Sequence, residues 1–112
     1  QQYEKAMLLL TEMRWQRIAP NVITYSAAIS ACEKEGRWEQ ALSLMEDMQG
    51  EEVMPVVITY NAAISACEKG QQYKKAMLLL RDMQQQGVLP DVFTFTAAIS
   101  ACEKEGQWEQ AL

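Results

Sequence analysis

The feature that most constrains this chain is a segment that returns. VITYNAAISACEKG, from Val57 to Gly70, has near-copies in VITYSAAISACEKE, from Val22 to Glu35, and VFTFTAAISACEKE, from Val92 to Glu105, each 35 residues from the next. Pro20, Pro55 and Pro90 keep the same step, as do Cys32, Cys67 and Cys102, and the aromatic series Tyr3, Trp38, Tyr73 and Trp108. A fixed period of this size builds a stack of similar supersecondary units, because one such unit cannot bury its apolar face alone and must lay it against its neighbours.

Within one copy, Tyr60, Ala63, Ile64 and Cys67 fall at i, i+3, i+4 and i+7 and share one face of a helix, here called helix A. Thr59 just precedes them and its hydroxyl is positioned to cap the helix, Pro55 separates it from the helix before, and Gly70 or Gly36 follows its end. A second series, Trp38, Ala41, Leu42, Met45 and Met48, returns as Tyr73, Ala76, Met77, Leu80 and Met83 and marks helix B. The links are too short for anything but antiparallel neighbours. The expected fold is all-α, an α-solenoid of antiparallel helix pairs forming a single array: a partial unit over 1–21, units 22–56 and 57–91, and a partial unit over 92–112. Residues 1–42 and 71–112 agree at 29 positions, more than units one step apart, which points to growth by copying pairs of units. Both termini fall inside a unit without the polar face of a capping repeat, so the chain reads as a fragment of a longer array.

Composition narrows the chemistry. No stretch is long and apolar enough to insert in a membrane, and the net charge of −5 argues against a generic polyanion-binding surface. The three cysteines repeat one position in stacked helices roughly 8–10 Å apart, beyond the reach of a disulfide, and read as small buried hydrophobes. There is no histidine, which removes the commonest general base and metal ligand. Neither a catalytic constellation nor a metal site nor a cofactor is expected, and the scattered carboxylates read as helix-surface charges.

The face of helix A opposite the core carries Ser26, Ser30 and Glu33, then Asn61, Ser65 and Glu68, then Thr96, Ser100 and Glu103. Small residues beside these stripes, Ala27, Ala31 and their equivalents, allow successive A helices to approach closely. The result is a polar groove in which one position, Ser26, Asn61 or Thr96, varies against a constant background. That is where a modular reader would place its specificity; a solvated face under drift would look the same. On this division of faces, truncating Ile64 should be costly and truncating Asn61 nearly neutral. Trp15 breaks the repeat differently, standing where the other units have Gly50 and Gln85. Beside Arg14 and Arg17 it is either an anchor for a protein partner or a side chain packed on its own turn.

The period, the V-x-T-Y/F-x-A-x-I-S-A-C-x-K opening, the A-L/M-x-L-x-x-M of helix B and the G-V-x-P-D exit at Gly87 to Asp91 cover the whole chain. On these residues it resembles the pentatricopeptide repeat family. The tetratricopeptide repeat, one residue shorter and with a Trp-x-x-Leu-Gly-x-x-Tyr opening, does not fit. The resemblance implies a right-handed superhelix that binds single-stranded RNA in mitochondria or plastids, one base per repeat, in RNA processing, stability, editing or translation. It implies that the residue after the aromatic of helix A pairs with the residue after the exit proline: Asn61 with Asp91, a combination similar to the family's uracil reader, and Ser26 with Val56, which departs from the pattern. Thr96 and Asn21 are half-pairs. It further implies apolar residues between successive bases, at Ile23, Ile58 and Phe93, and phosphate contacts from Lys34, Lys69 and Lys104. Each lysine directly follows a glutamate, which should weaken the salt-dependent backbone contribution.

The reading is a binding module and not an enzyme, with single-stranded RNA as its partner and no small-molecule substrate. The rival is a protein-interaction scaffold or assembly subunit of an organellar complex, favoured by the negative charge, Val56 and Trp15.

Overall fold

The computed structural model describes residues 1–105, all of whose regular elements are helices. In chain order they are α1 (Gln2–Trp15), α2 (Val22–Lys34), α3 (Trp38–Gly50), α4 (Val57–Lys69), α5 (Tyr73–Gln85) and α6 (Val92–Glu105). Helices α2, α4 and α6 are the A helices; α1, α3 and α5 are the B helices. The expected alternation and the helical faces are therefore present, and Trp108 lies outside the described residues.

The A helices begin earlier than a threonine cap would place them. Asn21 is the N-cap of α2, its Oδ1 accepting the Thr24 N–H at 3.0 Å while Thr24 Oγ1 accepts the Asn21 N–H at 3.3 Å. This reciprocal box satisfies two of the donors that a helix start leaves unpaired. Asp91 and Thr94 form the same box at α6. At α4 only half survives: Thr59 accepts the Val56 N–H at 3.2 Å, but valine has no atom with which to return the bond. The repeated threonine is thus the third helical residue and not the cap, because its hydroxyl reaches backwards to the cap residue's N–H.

The core runs through the stack as one apolar cluster. Tyr25, Ile29 and Cys32 of α2, Tyr60, Ile64 and Cys67 of α4, and Ala41, Met48, Ala76 and Met83 of the B helices are fully buried. All three cysteines are free and buried, as their periodicity predicts, and burial raises the Cys67 thiol to a pKa of about 11. The two core tyrosines place their hydroxyls at polar partners on the B side: Tyr25 donates to Glu51 and accepts from Arg14, both at 2.6 Å, and Tyr60 donates to Asp82 at 2.9 Å.

Successive A helices approach one another closely along their backbones, whereas the B helices α3 and α5 meet through side chains, the Lys75 ammonium lying 5.6 Å from the Trp38 ring centre. Small side chains such as Ala63 and Ala66 make the close A-helix approach possible. The first turns of the A helices lie together along one side of the stack, called here its inner face.

Candidate functional site

Three large apolar side chains stand out of the inner face at one register. Ile23, Ile58 and Phe93, each the second residue of its A helix, are 74%, 67% and 57% exposed. Leaving such side chains in water forgoes roughly 1.5–3 kcal/mol of burial each, so core packing does not account for them. The space between the first two is a groove of about 360 Å³ lined by Val22, Ile23, Ser26, Ser30, Val56 and Ile58.

Asn61 stands between Ile58 and Phe93 in sequence and is only 9% exposed. Its Nδ2 donates to Asp91 Oδ1 at 3.2 Å, and its Oδ1 accepts from the Thr94 hydroxyl at 2.5 Å. Asp91 meanwhile accepts the Thr94 N–H at 3.0 Å. That backbone bond first, with the Asn61 amide, holds the Asp91 carboxyl below its ordinary pKa of 3.8, so it is anionic at neutral pH. The structure thus brings Asn61 and Asp91 together. It also corrects the expectation that Asn61 can be truncated at no cost: its removal takes a hydrogen bond from the buried Thr94 hydroxyl, a loss of about 0.5–1.5 kcal/mol.

At the preceding junction Ser26 does not meet a polar side chain at position 56. Its Oγ lies 2.7 Å from Thr59 Oγ1, and Val56 is an exposed apolar residue. Asn21 is occupied as the cap of α2, and Thr96, exposed, donates its hydroxyl to the Val92 carbonyl at 2.7 Å.

The lysines sit farther along the A helices. Lys69 pairs with Glu33 and Lys104 with Glu68, in each case the glutamate of the preceding unit, 36 positions back, and not the adjacent residue in sequence. Ser65 also donates to Glu33, at 3.1 Å. The expected local charge cancellation is therefore a contact between units. Hydrogen bonding to Glu68, then its charge, raises the Lys104 pKa. Lys34 makes no ion pair among the described residues.

Trp15 lies away from this face, at the end of α1, and is 80% exposed beside a surface groove lined by Thr11, Arg14 and Arg17. It does not pack down on its own turn. Arg14 is committed inward, to Tyr25 and Glu51.

Two sets of residues in this region went unrecognised as contacts: Thr59 and Thr94, and the acceptor glutamates Glu33 and Glu68. Their signal was present in the period, since both recur every 35 residues, but their partners lie in another unit.

The PPR repeat family model matches residues 20–69 and 55–104, most of the chain. The chain belongs to the PPR repeat family. No curated protein matches it by sequence. Among solved structures, this pentatricopeptide repeat array is similar to the pentatricopeptide repeat protein PPR10 from maize, at 29% identity and a TM-score of 0.84 over 97% of this chain. The same figures hold for PPR10 in complex with an 18-nt psaJ RNA element. The array spans 16% of the length of that protein. The PPR domain of Arabidopsis thaliana protein-only RNase P 1, in complex with tRNA, matches over 97% of this chain and 56% of its own, with a TM-score of 0.84; at 15% identity it shows the fold alone.

Proposed function

We propose that this array binds single-stranded RNA along its inner face, one base per unit, and is a binding module without catalytic activity of its own. The observation that carries the reading is the junction of Asn61 and Asp91, a polar pair flanked by the exposed Ile58 and Phe93. An amide and a carboxylate can meet the polar edge of a base, while apolar side chains on either side cover its faces, each such stack contributing about 1–3 kcal/mol where the side chain is aromatic. The resemblance to an RNA-bound member of the family supports the same partner. Uracil is the proposed base at Asn61 and Asp91. The Ser26 junction, closed by a hydroxyl pair and faced by Val56, contributes little discrimination.

Organellar RNA metabolism, in mitochondria or plastids, completes the proposal on family membership alone, and fractionation of the native protein tests it. For the binding itself, the test is crosslinking of the native protein to RNA in its own cells, beside an Asn61→Ala variant whose melting temperature is measured in parallel. Discrete RNA sites that lose a uracil preference in the variant are the expected result. Absence of crosslinked RNA from the wild type, with proteins co-purifying, sinks the reading in favour of a scaffold. The exposed Trp15 is the observation that favours that second reading.

A further inference from the structure

We propose that Thr94, supplied by the following unit, is a specificity-positioning residue for the base read at Asn61: its hydroxyl fixes the Asn61 side-chain amide so that N–H, and not carbonyl oxygen, faces the base. The inference rests on the RNA reading above.

The hydrogen bonds of the junction carry it. An asparagine amide has two N–H donors and a carbonyl with two lone pairs, and its two ends are similar in shape, so only its partners decide which end points where. Here Thr94 Oγ1 accepts the Asp91 N–H at 3.1 Å, which leaves its single proton to donate. Asn61 Oδ1 at 2.5 Å is closer than Asp91 Oδ1 at 2.9 Å. The other end of the amide faces the Asp91 carboxylate, which can only accept. A flipped amide would set its carbonyl against that carboxylate, and the Thr94 proton would have only Asp91 Oδ1 left to meet. Asn61 is therefore held by a hydrogen bond at each end of its amide, and one N–H remains uncommitted. A lone donor suits a carbonyl oxygen on the base, as uracil offers at its 4-position; cytosine carries an amino group there and opposes donor to donor.

The preceding junction repeats the arrangement independently. Thr59 accepts the Val56 N–H, and with no carboxylate available its hydroxyl meets Ser26 Oγ at 2.7 Å. In both junctions the third residue of an A helix reaches the base-facing residue of the unit before it. Each reading position is thus assembled from two units.

The test is selection of bound sequences from a random RNA pool by the full-length protein, with Asn61→Ala, Thr94→Val, Thr94→Ala and Thr94→Ser variants. Asn61→Ala identifies the base position concerned by the preference it erases. Thr94→Val keeps the shape of the side chain and removes the hydroxyl, so it should lower the uracil-to-cytosine ratio at that position by about 2- to 10-fold, the worth of one hydrogen bond. Other positions should keep their preferences. Thr94→Ser should retain the wild-type ratio, and Thr94→Ala should match Thr94→Val. A wild-type ratio in Thr94→Val and Thr94→Ala, with the preference lost in Asn61→Ala, overturns the role of Thr94 and leaves the RNA reading standing. No enriched sequence with the wild type overturns both. Without RNA, thermal unfolding of Asn61→Ala, Thr94→Val and the double variant should be non-additive; additive losses would mean that the two side chains are not coupled and would end the proposal.

Discussion

Gly70 and Gln71 show how a single position is decided by its neighbours more than by its own type. The link from helix A to helix B needs one residue in the left-handed region, filled by Gly36 at φ +64° in one unit and by Gln71 at φ +63° in the next. For a residue with a side chain that conformation costs roughly 1–2 kcal/mol. The second unit does own a glycine, one place earlier, but Gly70 has an ordinary φ of −85°. What holds it is the ring of Trp38 from the preceding unit: a Cβ on Gly70 would overlap Trp38 Cδ1. Gly70→Ala should therefore destabilise the array by about 1–3 kcal/mol through overpacking, while Gln71→Gly should be neutral or stabilising by up to about 1 kcal/mol. Urea unfolding midpoints check this, and the reverse order of the two variants would refute it. The sequence revealed a turn at this point from its glycines; it did not reveal which of the two residues bears the strain, because Trp38 is distant in the chain.

Among the elements, the A helices are joined along their length by ion pairs that the functional reading must reckon with. Glu33 and Glu68 are largely buried, their side chains 17% and 11% exposed, while the paired Lys69 and Lys104 are 45% and 52% exposed. Carboxylates fixed in this way compete with any phosphate for the same ammonium groups. The lysine ends stay half in solvent and a glutamine keeps an oxygen facing them, so the charge can be removed for about 1 kcal/mol without unfolding the stack. Glu68→Gln should raise affinity for single-stranded RNA several-fold at low salt and steepen the dependence of log K on log salt by about 0.7, the contribution of one added phosphate contact. An unchanged slope would remove Lys104 from the phosphate contacts. That lysines and glutamates share this face was legible in the repeat. Their pairing was not, since adjacent residues on a helix point in different directions and the contact forms across units.

At the scale of the molecule, stability should rise toward the middle of the stack, because each unit gains from neighbours on both sides. In α4 eight residues are buried, against Leu10 alone in α1. Amide hydrogen exchange should be slowest in α4 and clearly faster in α1; equal protection would contradict a nearest-neighbour stack. Ile64→Ala, at a fully buried position of α4, should cost about 2–5 kcal/mol through the cavity it leaves, read from the same urea midpoints. The period of 35, the two helices per unit, their buried faces and the buried cysteines were all determined by the sequence alone. Helical periodicity is a property of residues three and four apart, and a repeated segment needs no distant information to declare that it stacks. Only the tertiary structure decided that Thr94 meets Asn61, that Thr59 meets Ser26 and that Lys69 reaches Glu33, over separations of 33, 33 and 36 residues. These partners stand in different units, and a pattern of residues three and four apart within one helix carries no information about which side chain of the next unit it will face.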